Sequence, residues 1–285
     1  MPKKIVAIDS QKLDGMQACA YLYNLKFIKH LTPKETPDYF ERGSLIHHGL
    51  QMLYNLKQNR SRWLQNNKNY SDVINSCITA MRHKALNLGL EASEVERVID
   101  AFIQYADFWE NDDWADSVIF GVERSFSKVL YDSEDLCIAY EGVIDLVIRK
   151  NGMLIPVDHK TVSSRREPNN LSNQFRGYCW FLDSHQVIIN DIGLQKTLKP
   201  SDKFKRHVIQ YSTATLEEWR ENTIFWVKLT EGLKDANQFP RNFTSCDKYS
   251  GCQFRDLCTK DPEVREFDID RLYDIKPWDV GAAHL

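Results

Sequence analysis

Two aspartates and a lysine lie in two short apolar runs that a tight turn joins. The first run reads Gly-Val-Ile-Asp and ends at Asp145, the second reads Pro-Val-Asp-His-Lys-Thr and contains Asp158 and Lys160, and Asn151-Gly152 lies between them. An Asn-Gly pair between apolar runs is typical of a β-hairpin, which would bring both aspartates to the same region of a sheet. Clustered carboxylates bind hard divalent cations such as Mg²⁺ and Mn²⁺, and phosphodiester hydrolysis uses such ions. Lys160 would add positive charge where the phosphate charge develops, so these residues predict a metal-dependent nuclease.

The aspartates also have a second interpretation. A charge inside an apolar strand is costly unless a cation or a hydrogen-bond network compensates it, and Asp145 lies inside the apolar run of residues 142–148. Asp158 and Lys160, taken alone, are compatible with a solvent-facing pair that contributes little. Their combination with Asp145 on one hairpin favours the metal site. Glu123, on the preceding strand, either faces solvent or adds a further carboxylate near this site.

The elements around this hairpin divide the chain into a mainly helical first part and an α/β second part. Apolar residues recur at helical spacing from Gly43 onward, with Ser44 as the N-cap, and a later helix over residues 71–88 ends at Gly89. We predict further helices over residues 94–110, 171–182 and 216–233, and strands over residues 118–122, 136–148, 153–157, 187–195 and 207–211. This order predicts an α/β fold with a mixed sheet flanked by helices, an N-terminal helical region and a C-terminal cysteine-rich segment.

The composition indicates a folded protein of moderate size. The chain has 285 residues, of which 42% are hydrophobic and 12% aromatic, and its net charge is -3. This charge gives no support to a protein that coats nucleic acid nonspecifically, since such proteins are usually strongly basic. No apolar run reaches the roughly 18 residues of a membrane span, and the N-terminus does not resemble a secretion signal. We therefore expect a cytoplasmic protein with reduced cysteines and no membrane contact.

Three of the seven cysteines lie close together near the C-terminus. Cys246, Cys252 and Cys258 are separated by five residues each, whereas structural zinc sites favour cysteine pairs about two to four residues apart. Three others occur singly in predicted helices or strands and are typical of small core residues: Cys77, Cys137 and Cys179. A cluster bound by thiolates alone would need one more cysteine beside the C-terminal three.

The aspartate and lysine motifs resemble those of the PD-(D/E)XK nuclease superfamily, in particular its RecB-like exonuclease branch. In that branch a histidine follows a glycine on an N-terminal helix, and the sequence from Gly43 to His47 matches this pattern. A Gln-x-x-x-Tyr motif follows the catalytic strands in that branch, and Gln174 and Tyr178 match it. Some members also hold a 4Fe-4S cluster, with one cysteine before the nuclease motifs and three after them. The resemblance covers most of the chain and implies a restriction-endonuclease-like fold.

The resemblance also implies a role for each matching residue. His47, Asp145 and Asp158, with the backbone carbonyl of His159, would bind Mg²⁺ or Mn²⁺. Asp145, Asp158 and Lys160 would form the catalytic set, in which Lys160 orients or activates the attacking water. The residues that would contact the nucleic-acid strand are Gln174 and Tyr178. The residues that would hold the 4Fe-4S cluster, with zinc as the alternative, are Cys19, Cys246, Cys252 and Cys258.

These features predict one nuclease domain over residues 1–285. Within it, residues 1–115 would form a mainly helical lobe, residues 116–240 the α/β catalytic core, and residues 241–285 an iron-sulfur segment that packs with the N-terminal helix. The resemblance implies a metal-dependent DNA exonuclease that acts on single strands or free ends in recombination, repair or phage DNA processing, with a helicase or recombination protein as a candidate partner. The alternative is a non-catalytic iron-sulfur DNA-binding or assembly subunit that retains the nuclease fold.

Overall fold

The chain forms two compact units. The computed structural model describes residues 2–35, 38–59, 69–110, 114, 117–162, 167–247 and 251–280. The first unit is built from residues 1–36, 127–142 and 214–283, and the second from residues 37–126 and 143–213.

The helices and strands follow one another in this order. The first part of the chain contains β1 (Lys4–Ile8), α1 (Ser10–Ala18), α2 (Ala20–Tyr23), a π-helical turn (Asn24–Ile28), β2 (Leu31–Pro33), α3 (Asp38–Gln58), α4 (Tyr70–Leu88) and α5 (Ala92–Phe108). The second part contains β3 (Val118–Asp132), β4 (Leu136–Lys150), β5 (Met153–Val162), α6 (Asn173–Leu182), β6 (Gln186–Gly193), α7 (Pro200–Lys203), β7 (Phe204–Gln210), α8 (Thr213–Asp235), α9 (Arg255–Thr259), α10 (Arg265–Leu272) and β8 (Tyr273–Ile275).

The first unit has its own small apolar core. β1 runs parallel to residues 136–140 of β4, and β2 pairs antiparallel with β8. α1 begins after Asp9, whose side chain accepts a hydrogen bond from the backbone N–H of Lys12 at 2.8 Å and so caps the helix. One cluster of buried residues in this unit consists of Leu25, Leu31, Phe254, Leu257 and Tyr273. This core joins N-terminal and C-terminal segments of the chain within one unit.

The second unit is built on a mixed sheet in which β4, β5, β6 and β7 are neighbours in that order. β4 and β5 pair antiparallel, β5 and β6 pair parallel, and β6 and β7 pair antiparallel. The predicted β4–β5 hairpin is present, and its turn residues Asn151 and Gly152 have φ of 51° and 80°, as such a tight turn requires. The parallel pair needs a crossover, which α6 supplies between β5 and β6.

Helices α3, α4 and α5 pack their apolar residues with those of the sheet in one core cluster. α4 starts with a capping box between Asn69 and Asp72 and ends at Gly89, which has the left-handed φ of 66° that favours glycine. The prediction that Ser44 caps a helix is wrong, because α3 begins at Asp38 and Ser44 lies inside it. The predicted α/β class with a mixed sheet flanked by helices is confirmed. None of the helices in the described ranges is both long and apolar enough to cross a membrane.

Candidate active site

The two predicted aspartates face each other in the β4–β5 hairpin. Leu146 pairs with Val157, so the next position of the antiparallel register places Asp145 against Asp158. Both residues are almost fully buried, with exposed fractions of 2% for Asp145 and 1% for Asp158. The interpretation of Asp158 as half of a solvent-facing pair is therefore wrong.

Short contacts hold each carboxylate in place. The backbone N–H of His159 donates to Oδ2 of Asp145 at 2.7 Å, and Nδ1 of His47 lies 3.7 Å from the same oxygen. The Nζ of Lys160 lies 2.8 Å from Oδ2 of Asp158 and forms an ion pair with it. His47 comes from α3, Asp145 from β4 and the other three residues from β5. One helix and two strands of the second unit thus converge on this site.

Glu123 joins the group from a third strand, β3. One ligand atom from each of His47, Glu123 and Asp145 lies within 4.8 Å of the others, and no other set of three such donors occurs among the described residues. Glu123 has a φ of 48°, a left-handed conformation that is uncommon outside glycine and irregular within a strand. The sequence left its direction open, because alternation along a strand does not predict the direction of a side chain at such an irregularity.

Burial and nearby charges set the ionisation of the three acids. Burial raises the pKa of Glu123 to about 8, and the negative charges of Asp145 and Asp158 add to the rise. Burial also raises the pKa of Asp158 to about 6, although the ammonium of Lys160 opposes this shift. Burial acts in the same direction on Asp145, but neighbouring positive charges, that of His47 first, hold its pKa below the usual value. These nearby carboxylates disfavour one another's ionisation, so a bound cation would stabilise the site.

The donor set fits a divalent cation that prefers oxygen ligands. Carboxylate oxygens suit Mg²⁺ and Mn²⁺, and a single imidazole nitrogen suits Mn²⁺ better than Mg²⁺. Of the predicted metal ligands, His47 and Asp145 lie together, with Asp158 opposite Asp145 on the hairpin. The backbone carbonyl of His159 as a ligand stays a prediction. Glu123 is the added carboxylate, and the only sequence signal for it was a charge next to the apolar run of residues 118–122.

The Gln-x-x-x-Tyr motif lies on α6 and contacts Lys160. The Nζ of Lys160 donates to Oε1 of Gln174 at 3.0 Å, and Nε2 of Gln174 donates to the hydroxyl of Tyr178 at 2.9 Å. That hydroxyl donates to the backbone carbonyl of Val143 at 2.6 Å, and Tyr178 is only 2% exposed. The predicted contact of Gln174 and Tyr178 with nucleic acid stays a prediction. In the folded chain Gln174 contacts Lys160, and Tyr178 contacts Gln174 and the backbone of β4.

The side chain of His159 lies on the opposite face of β5 from Asp158 and joins a buried polar network. The Nδ2 of Asn190 lies 2.8 Å from Nδ1 of His159 and donates to the hydroxyl of Tyr105 at 2.9 Å. The hydroxyls of Tyr54 and Tyr105 are 2.6 Å apart, and the Tyr54 ring stacks on the His159 imidazole with centroids 5.5 Å apart. Burial lowers the pKa of His159 to about 3, so the imidazole is neutral. The network fixes the strand that carries Asp158 against α3 and α5.

The four predicted cluster cysteines lie in the first unit, where they line one cavity with several apolar side chains. The sulfur of Cys19 accepts a hydrogen bond from the backbone N–H of Asn242 at 3.3 Å, and the backbone N–H of Cys252 donates to the carbonyl of Cys246 at 2.9 Å. All of these thiols are free. Within the described ranges, no three of their sulfur atoms all lie within 4.8 Å of one another. The arrangement therefore does not by itself identify a metal cluster.

Comparison with known proteins identifies the family of the chain. Residues 10–259 match the PD-(D/E)XK nuclease superfamily, and the chain belongs to this superfamily. Its mixed sheet flanked by helices is consistent with the restriction-endonuclease-like fold of that superfamily. Superfamily membership implies a nuclease that uses a divalent metal and acts on DNA.

Other comparisons add little. No curated protein matches the chain. Among solved structures, the crystal structure of SSO0001 is similar over 76% of this chain and 84% of that chain, with 14% sequence identity and a TM-score of 0.34. A similarity of this size carries no argument about function.

Proposed function

We propose that the protein is a Mg²⁺- or Mn²⁺-dependent deoxyribonuclease that hydrolyses phosphodiester bonds in DNA. The observation that carries the proposal is the convergence of His47, Glu123 and Asp145 to within 4.8 Å, beside the ion pair of Asp158 with Lys160. Buried carboxylates of like charge are costly without a compensating cation, which is a physical reason for a divalent ion at this place. Superfamily membership supports the same chemistry.

The side chains at the site have distinct tasks in this proposal. His47, Glu123 and Asp145 hold the ion, and Asp158 is a further ligand that also orients the ammonium of Lys160. A divalent ion, when bound, acts as a Lewis acid on a phosphoryl oxygen and favours the ionisation of water. Lys160 offsets the negative charge that develops on the phosphate and aligns the attacking water. We expect Mn²⁺ to support more activity than Mg²⁺, because the ligand set includes an imidazole.

We further propose exonuclease action on single strands or free DNA ends. The order of the glycine-histidine helix, the two aspartate motifs and the Gln-x-x-x-Tyr motif supports this, since it resembles the RecB-like branch. Lys196 and Lys199 are exposed after β6 and Lys205 is half-buried on β7, and such lysines suit contacts with a DNA backbone. A role in recombination, repair or phage DNA processing, beside a helicase or recombination partner, depends on the same resemblance.

We also propose that the four cysteines around the cavity of the first unit bind a 4Fe-4S cluster, with zinc as the less favoured alternative. A four-iron cluster binds one thiolate at each iron, so its ligands surround a volume and do not meet at one ion. The shared cavity and its apolar lining, which includes Leu22, Leu25 and Phe254, support this kind of site. Such a cluster would join Cys19 to the C-terminal segment that carries Cys246.

The nuclease proposal is tested by cleavage of end-labelled single-stranded and double-stranded DNA with Mg²⁺, Mn²⁺ or a chelator. We expect cleavage that depends on the metal. Asp158→Ala and Lys160→Ala should each lower kcat about 10²- to 10³-fold. Lys160 offsets the charge that develops on the phosphate, and Asp158 positions Lys160. Lys128→Ala on β3 is a control that replaces a half-buried lysine outside the proposed site.

The outcomes separate the candidate functions. Full cleavage by Asp158→Ala or Lys160→Ala would contradict the proposed site. DNA binding by the parent protein with no cleavage under any metal would favour the non-catalytic subunit. Loss of label from the end would indicate exonuclease action, and cuts at internal positions would indicate endonuclease action.

A further inference from the structure

A continuous chain of hydrogen bonds connects Lys160 to the strand that carries Asp145. From the Nζ of Lys160 it runs 3.0 Å to Oε1 of Gln174, and 2.9 Å from Nε2 of Gln174 to the hydroxyl of Tyr178. It ends 2.6 Å further on, at the backbone carbonyl of Val143 in β4. The series of hydrogen bonds therefore starts at the proposed catalytic lysine and ends two residues before a proposed metal ligand.

The direction of each hydrogen bond in this chain is fixed by chemistry. An ammonium group only donates, so Gln174 presents its carbonyl oxygen to Lys160 and its amide N–H to Tyr178. The hydroxyl of Tyr178 accepts that bond and donates its single proton to the carbonyl of Val143. Because a charged donor opens the chain, its first bond is stronger than a neutral one. The arrangement allows one orientation of each side chain.

Helix geometry and ring packing keep this series of hydrogen bonds in place. Gln174 and Tyr178 are four residues apart on α6, so they lie on the same face of that helix. The ring of Tyr178 meets the ring of Phe126 edge to face, with centroids 6.1 Å apart, and the residue is 2% exposed. A ring buried to this degree has no face on which a nucleobase could stack. Tyr178 therefore acts at this site through the two hydrogen bonds of its hydroxyl.

We infer that Gln174 and Tyr178 are positioning residues that hold the ammonium of Lys160 at the active site, and that Tyr178 does not contact DNA. The inference deepens the proposed nuclease function and rests on it. Lys160 is held on one side by Asp158 at 2.8 Å and on the other by Gln174 at 3.0 Å. Two such contacts fix the end of a long, flexible side chain that would otherwise sample many rotamers. Tyr178 fixes Gln174 in turn, by anchoring its amide to a buried backbone carbonyl.

The sharpest test is Tyr178→Phe, which removes the hydroxyl and keeps the buried ring. We expect kcat for DNA cleavage to fall about 10- to 100-fold, as is typical when a group that orients a reacting side chain is lost. The KM for DNA should stay unchanged, because the hydroxyl does not face the substrate. The matched control is Tyr211→Phe, which removes another buried hydroxyl that donates to a backbone carbonyl, that of Asn170 at 2.9 Å. This control should keep the parent kcat.

A double-mutant cycle separates positioning from a general loss of stability. In a Lys160→Met background, Tyr178→Phe should cause no further fall in kcat, because the effect passes through the lysine. An equal further fall in that background would overturn the inference. So would a rise in KM with unchanged kcat in the single variant, which would mean that Tyr178 contacts DNA after all.

A second readout does not depend on cleavage. Reductive methylation of Lys160, measured by mass spectrometry, should be faster in Gln174→Met and Tyr178→Phe than in the parent or in Tyr211→Phe. Unchanged labelling in both variants would overturn the inference. Faster labelling in a protein that never cleaves DNA would support the positioning role and reject the nuclease proposal.

Discussion

The Nδ1 of His47 lies 3.7 Å from Oδ2 of Asp145, although the two residues are far apart in the sequence. The same oxygen also accepts the backbone N–H of His159 at 2.7 Å, so the carboxylate cannot turn away from the imidazole without losing that bond. Asp145 is 2% exposed, so water does little to compensate its charge. This contact joins α3 to the β4–β5 hairpin at the place where we propose that a cation binds.

The first prediction concerns the adjacent histidines of α3. Mn²⁺ should raise the Tm of the parent protein, because a ligand at about 100 times its Kd stabilises the folded state by about 2.7 kcal/mol. His47→Gln should remove most of this shift, since it takes away one of the three converging side chains that we propose as ligands. The measurement is thermal unfolding with and without Mn²⁺.

The matched control for this prediction is His48→Gln. Burial lowers the pKa of His48, and the nearby charge of Lys84 adds to this, so His48 is a neutral imidazole in a different environment one position along the helix. His48→Gln should keep the full Mn²⁺ shift. If His48→Gln loses the shift and His47→Gln keeps it, the wrong histidine has been assigned to the metal.

The second prediction concerns the pH dependence of stability in the metal-free protein. The pKa of Glu123 is raised from 4.5 to about 8, so the folded state binds a proton more tightly than the unfolded state. Its contribution to stability is therefore fully present below pH 4.5 and is lost as the pH rises to about 8. Glu123→Gln stays neutral and should be more stable than the parent at pH 9, by about 1 kcal/mol or more.

The measurement for Glu123 is urea unfolding in a chelator from pH 4 to pH 9. The curves of parent and Glu123→Gln should meet at the acid end and separate as the pH rises. Added Mn²⁺ should reverse their order at high pH, because the cation compensates the carboxylate only in the parent. Parallel curves across the whole range would show that Glu123 is not in a buried, negatively charged environment.

Local sequence signals predicted the parts of this site that depend on one turn or one helix end. The Asn151-Gly152 pair has φ of 51° and 80°, values that few other residues adopt, so it placed Asp145 and Asp158 correctly on one hairpin. Gly89 correctly predicted the end of α4, because its φ of 66° is one that glycine adopts readily. Such positions can be predicted from sequence because the residue type itself favours the backbone conformation.

Other parts of the site depend on contacts between distant segments and could not be predicted. Glu123 lies near Asp145 at a position where the backbone leaves the extended conformation, with a φ of 48°, and its residue type does not predict this conformation. The motif on α6 identified Gln174 and Tyr178 but not their direction, since an amphipathic helix can present a polar pair to solvent or to a buried lysine. The packing of α6 on β5 decides between the two.

The third prediction concerns Gly49, two residues after His47 on α3. A Cβ at Gly49 would lie 2.6 Å from Sδ of Met81 and 3.0 Å from a ring carbon of Phe102, and both neighbours are fully buried. Gly49→Ala should therefore lower the free energy of unfolding by about 1–3 kcal/mol, despite the better helix propensity of alanine. It should also lower metal-dependent cleavage, because relief of this overlap disturbs the packing of α3, which carries His47.

The control for Gly49 is Gly232 on α8. Among the described residues, no heavy atom outside the backbone of α8 and the two neighbouring residues lies within 4 Å of a Cβ placed at Gly232. Gly232→Ala should therefore raise stability by up to about 1 kcal/mol through helix propensity alone. Urea unfolding of both variants measures the difference. Equal effects of the two substitutions would mean that the close packing of α3 on α4 and α5 does not constrain Gly49.

The fourth prediction concerns the cysteines of the first unit. Cys19→Ser should lose bound iron and visible absorbance and should lower the Tm, because a thiolate that joins the N-terminal segment to the C-terminal one is removed. Cleavage by the variant at low temperature should persist, since the residues proposed for catalysis lie in the second unit. The control is Cys137→Ser, a half-buried cysteine on β4 that does not line the cavity. Metal analysis after anaerobic purification decides the outcome: zinc in place of iron favours the zinc alternative, and unchanged iron in Cys19→Ser removes Cys19 from the ligands.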